Sequence, residues 1–139
     1  MIFLKTESTK LYYGLYLITG PKLTVELKGE ANDAQSSRAG TYVLGPNTVN
    51  GKSHWLQVSG KNAIWYETEF RNWAIGLQDN IGSKKAYIYT PEDVTGPQEA
   101  KEWKYYNDAK WFKSDDILVD TFEQGKLIVI VLIIFPKWL

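Results

Sequence analysis

Apolar positions along this chain recur with a period of two, in short runs separated by turn residues. Lys22 to Lys28 (KLTVELK) sends Leu23, Val25 and Leu27 to one side and Thr24 and Glu26 to the other. That alternation marks a strand with one buried and one wet face. Leu11 to Thr19 (LYYGLYLIT) is rich in aromatic and branched residues and ends at Gly20-Pro21, a turn signal. The two runs are expected to form an N-terminal hairpin within residues 1–28. Residues 29–38 (GEANDAQSSR) are polar and read as a loop or linker.

From Gly40 onward, runs of four to seven strand-forming residues alternate with turns at Gly45-Pro46-Asn47, Asn50-Gly51, Gly60-Lys61-Asn62, Asp79-Asn80 and Gly82-Ser83. Asn-Gly tolerates the positive φ angles of a tight hairpin turn. Turn signals at this spacing are the mark of an antiparallel all-β domain. Gly96-Pro97 blocks a long helix, leaving room for one turn near Gln98 to Glu102. Trp103 to Tyr106 and Lys110 to Phe112 read as a hairpin across Asn107-Asp108, and Ile117 to Phe122 as a further strand.

Leu127 to Phe135 (LIVIVLIIF) is a run of nine apolar residues. A bilayer-spanning helix needs ~20, so a strand buried on both faces is the better reading, and a membrane contact and a chain end that is not the natural one are the weaker ones. Exposed, such a run would be an aggregation hazard, so it calls for cover from its own sheet or from another copy of the chain. Pairing with the N-terminal hairpin, Leu11 to Leu27, is the expected arrangement.

The fold these signals predict is a single all-β domain over residues 1–139. An antiparallel sheet curls into a small sandwich or open barrel over residues 40–119, with the N-terminal hairpin and a C-terminal strand at 126–135 added.

Composition sharpens this picture in three places. Six Trp, nine Tyr and five Phe make the chain aromatic-rich, as suits pleated surfaces. Sixteen basic and sixteen acidic residues cancel, so no net field draws in nucleic acid. The chain has no cysteine, which removes disulfides, thiolate nucleophiles and Cys-based zinc sites, and mildly favours a reducing, intracellular setting. Met1 to Leu4 is followed at once by Lys5 and Glu7, so no signal peptide is read there.

Catalytic chemistry finds little foothold. His54 is the single histidine, and no Gly-x-Ser-x-Gly elbow accompanies it. Glu67 and Glu69 would share a strand face, a spacing that fits a solvated edge better than a glycosidase pair. Asp115-Asp116 and Asp79-Asn80 lack the pattern of an EF-hand loop, and phosphate-binding fingerprints are absent. Neither metal nor cofactor is expected.

The aromatics carry the remaining signal. Alternation puts Ile64 and Tyr66 on one face of Ala63 to Glu67 and Trp65 on the other; Trp73 shares a face with Ile75, and Trp103 with Tyr105. Core packing is the default for any one ring, and Trp65, Trp73 and Trp103 are expected to be core. An exposed platform for sugar rings or a peptide is the alternative. Trp55 and Tyr106, next to turns, are the candidate ligand-binding residues.

In order, Gly40-x-Tyr42, Asn50-Gly51, Trp55, Ile64-Trp65-Tyr66, Trp73-x-Ile75-Gly76, Gly82, Pro97, Trp103-x-Tyr105 and Trp111 span a little over half the chain. This pattern resembles a small Trp/Tyr-rich β-module that recurs in large proteins of protists, algae and marine invertebrates, beside extracellular, signalling or interaction domains. The resemblance implies an accessory binding module and brings no catalytic residues with it. The expected function is therefore non-catalytic binding of a protein partner, with carbohydrate recognition through an aromatic platform as the alternative and an enzyme of unrecognised type as the last.

Overall fold

The computed structural model describes residues 21–122. Nine antiparallel strands form one sheet: β1 (Lys22–Leu27), β2 (Gly40–Leu44), β3 (Trp55–Gln57), β4 (Asn62–Glu67), β5 (Asn72–Leu77), β6 (Ile88–Tyr89), β7 (Trp103–Asn107), β8 (Lys110–Ser114) and β9 (Ile117–Phe122). The spatial order is β8-β7-β6-β5-β4-β3-β2-β1-β9. A meander runs from β1 to β8, and β9 then returns to pair with β1, from Lys22↔Phe122 to Leu27↔Ile117. The sheet curls into a nearly closed barrel whose seam lies between β8 and β9. Of the two expected forms, it is the open barrel.

Period-two alternation selects the core. Leu23 and Val25 of β1, Ile64 and Tyr66 of β4, Trp73 and Ile75 of β5, and Trp103 and Tyr105 of β7 join one interior cluster. Aromatic rings interlock there: Trp73 lies 5.9 Å from Trp55 and 5.3 Å from Tyr66, with tilted planes. Such offset contacts add ~0.5–1.5 kcal/mol each beyond burial. Indole and phenol groups reach the loop that follows β6, where Trp73 Nε1 donates to the Val94 carbonyl at 2.9 Å and Tyr66 Oη to Asp93 Oδ1 at 2.9 Å.

Every residue of β4 is buried, because the outer face is covered as well. Ala63, Trp65 and Ala74 form a second cluster under Val49, Leu56, Ile81 and Ala86. Gly76 makes that cover fit: a Cβ there would lie 3.0 Å from Trp65 Cη2 and 3.1 Å from Ala86 Cα. Trp65 Nε1 donates to the Ser83 carbonyl at 2.9 Å, and Asn50 Nδ2 bridges the carbonyls of Tyr66 and Gly82. The Asn50-Gly51 turn has the expected positive φ angles, 55° and 80°. It closes on a single bridge, Val49↔Lys52, outside the named strands.

Three expectations change. Residues 29–38 are not a linker: Gly29–Gln35 form helix α1 and Ser36–Arg38 a 3₁₀ turn. Ala31, Ala34 and Gln35, at helical spacing, face the core, and Gln35 Nε2 donates to the Tyr106 carbonyl. So short a helix draws its stability from packing rather than propensity, which is why its polar sequence concealed it. Second, β1 has no free edge for a hairpin partner at Lys22–Val25, since β2 and β9 take both sides. That excludes Leu11 to Thr19 and Leu127 to Phe135 as ladder partners of this stretch; both runs lie outside the described residues. Third, the β7–β8 connection is the two-residue turn Asp108-Ala109, with φ of 52° and 65°, and Asn107 belongs to the strand.

Candidate functional site

The β4–β5 turn builds one wall of a groove on the outer face of the barrel. Glu67, the last residue of β4, folds its carboxylate back over the turn, where Oε2 accepts the N–H of Glu69 at 2.6 Å and Oε1 that of Phe70 at 2.8 Å. This charge-assisted cap holds the turn in shape and leaves Phe70 projecting, 62% exposed. Lys84 lies over the Phe70 ring at 5.6 Å and pairs with Glu69 at 3.1 Å.

The opposite wall comes from the far strands. Tyr89 of β6 and Trp111 of β8 meet edge to face at 4.7 Å, and Tyr106 of β7 supports Trp111 at 5.3 Å. Trp111 is 42% exposed. Between the walls, Glu67, Asn72 and Ala74 form the floor of a groove of about 440 Å³, with Pro91, Lys84 and Ala86 along its rim.

Asn72 is the informative residue. It is only 8% exposed and lines the groove, yet its side-chain amide has no hydrogen-bond partner among the described residues. Its amide atoms are not among the fully buried unpartnered ones, so they open to the groove, where a ligand can bond them in place of water.

The residues singled out from sequence are placed differently. Trp55 is not a surface platform: it is 8% exposed, inside the core, with Nε1 donating to the Pro21 carbonyl at 3.3 Å. Pairing with Ile64 puts it on the inner face, and closeness to a turn in sequence does not change that register. Tyr106 is half-buried on the outer face and buttresses Trp111 rather than lining the groove. Phe70, Asn72, Tyr89 and Trp111 were missed. Phe70 carried a signal, being a large apolar residue inside the polar turn Thr68 to Arg71.

Glu67 and Glu69 do not share a strand face, because Glu69 lies in the turn that Glu67 caps. Among the described residues no group of three or more His, Asp or Glu side chains is placed to hold a metal. A further cavity at one end of the barrel, about 650 Å³, is lined by Ser37, Gln57 and Asn62. Their amides are largely spent on the chain itself: Asn62 Nδ2 bonds the Ser37 carbonyl and Gln57 Oε1, and Gln57 Nε2 bonds the carbonyls of Ser37 and Ala39. That network pins the end of the helical segment to the sheet.

His54 is 5% exposed, and Nδ1 has no partner among the described residues. Burial lowers its pKa. As pH falls through about 6.5, the unfolded chain takes up a proton that the folded chain resists. Stability is therefore full above that pH and declines as pH drops toward the lower folded value. A thermal midpoint measured between about pH 8 and pH 5 should fall for the wild type and fall less for His54→Gln. A wild-type profile as flat as the variant's would refute this.

A comparison of the chain with family models, with curated proteins and with solved structures found no match.

Proposed function

We propose that this domain is a non-catalytic recognition module that binds carbohydrate in the groove between Phe70 and Trp111. The observation that carries the reading is the unpartnered amide of Asn72 on a floor flanked by exposed aromatic rings. Small-ligand sites are concave, largely apolar, and oriented by a few polar groups, and about 440 Å³ falls within their range. A sugar ring offers apolar C–H faces to aromatic walls and a rim of hydroxyls to an amide, which both donates and accepts. The two ionic groups at the site are already engaged, Glu67 with backbone N–H groups and Lys84 with Glu69. An uncharged, amphipathic ligand suits such a surface better than an anion does.

Glycan-array screening followed by titration of any hit tests this. Trp111→Ala, Phe70→Ala and Asn72→Ala should each weaken binding roughly tenfold or more, equivalent to ~1.4 kcal/mol. The Phe70 variant should keep the wild-type melting temperature, since its ring is 62% exposed, and the Trp111 variant should stay folded with a modest drop, since its ring packs on Tyr89 and Tyr106. No saturable glycan binding, or binding indifferent to all three substitutions, would overturn the reading.

A further inference from the structure

We propose that β8 pairs edge to edge with β8 of a second copy of this chain, giving a two-fold symmetric dimer. The inference stands on the main chain of β8 and does not depend on the groove's ligand.

The parity of the β7–β8 ladder decides which groups point outward. Tyr106 donates its N–H to the Tyr87 carbonyl at 2.9 Å and accepts from Gln35 Nε2 on its own carbonyl, so its main chain faces away from β8. The pair Tyr106↔Trp111 is then the non-hydrogen-bonded kind, and the main chain of Trp111 faces away from β7. Two residues on, Lys113 does the same. Among the described residues, nothing pairs with this edge, which borders the barrel seam.

Both faces of the strand are open too. Lys110 to Lys113 are all exposed, including Trp111 on the outer face and Phe112 on the inner. An unpaired strand edge of this kind is a template for another strand.

The strand is complementary to itself in one register. An antiparallel two-fold centred on Phe112 sets Trp111 opposite Lys113 of the second copy, and Lys110 opposite its Ser114. Each Trp111–Lys113 pair then exchanges N–H···O bonds in both directions, and the symmetry repeats the exchange. Phe112 meets its own copy, and each Lys113 ammonium comes beside an indole, a cation–π partner. Sliding the centre to Lys113 keeps the same hydrogen-bonding parity but sets lysine against lysine, so charge selects the first register. Trp111 also walls the groove, so the dimer brings two grooves side by side on one face, each with Lys113 of the other copy at its border.

Size-exclusion chromatography with light scattering on the full chain tests the proposal. The wild type should elute as a concentration-dependent dimer. Lys113→Pro deletes an outward N–H without touching a β7 hydrogen bond, so it should fold and be monomeric. Phe112→Glu sets two carboxylates against each other and should raise the dimer dissociation constant by about tenfold or more, a second reading should the proline variant misfold. A wild type that is monomeric up to its solubility limit would overturn the proposal and leave the edge free for an extended peptide. A dimer indifferent to both substitutions would overturn it equally, placing the contact elsewhere.

Discussion

Replacing Trp73 with alanine is expected to remove about 3–5 kcal/mol of stability, a large part of what a small domain has. The ring is 1% exposed and touches both Trp55 and Tyr66. Its indole N–H also holds the Val94 carbonyl, so truncation opens a cavity and removes that hydrogen bond together. Trp103, equally buried, should cost a similar amount. Trp65 offers a useful contrast. It packs on the opposite face, under the segment that carries Ser83, Lys85 and Ala86. Its loss should loosen that cover first, including the Lys84 rim of the groove. Urea unfolding of the three variants measures the effect, and wild-type midpoints for all three would show that the assigned interior is wrong.

Gly45→Ala should be a damaging small substitution, costing roughly 1–3 kcal/mol by overpacking. A Cβ at Gly45 would sit 2.2 Å from His54 Nε2 and 2.7 Å from Cε1, well inside contact distance. The imidazole is buried, and the backbones of the two residues are tied by the Gly45 N–H to His54 carbonyl bond at 2.9 Å. Neither partner can therefore withdraw without disturbing the β2–β3 connection. The double variant Gly45→Ala, His54→Ala should recover part of the loss, because the shorter side chain vacates the clash. Strict additivity in denaturant melts would exclude this coupling.

Much of the fold was legible because strand periodicity depends on neighbours in sequence. The inward set Leu23, Val25, Ile64, Tyr66, Trp73, Ile75, Trp103 and Tyr105 follows from alternation alone, as does the opposite placement of Trp65. Asn50-Gly51 announced its turn through backbone conformation, again a local property. Helix α1 was hidden because its stability comes from Ala31 and Gln35 meeting the core, which a polar ten-residue stretch does not advertise.

Tertiary structure alone decided how the strands order and which aromatics reach solvent. The return of β9 to β1 joins residues nearly a hundred positions apart, and it took the edge that sequence had assigned to Leu11 to Thr19. The groove likewise gathers Phe70 and Asn72, Tyr89, and Trp111 from three separate stretches of chain. Trp55 and Trp111 have similar local surroundings, each an aromatic among strand formers beside polar residues. One is buried because its register turns it to the inner face between β2 and β4; the other lies on the outer face of β8, which has a neighbour on one side only among the described residues. The number of neighbouring strands follows from the closure of the whole sheet, so no window of sequence contains it.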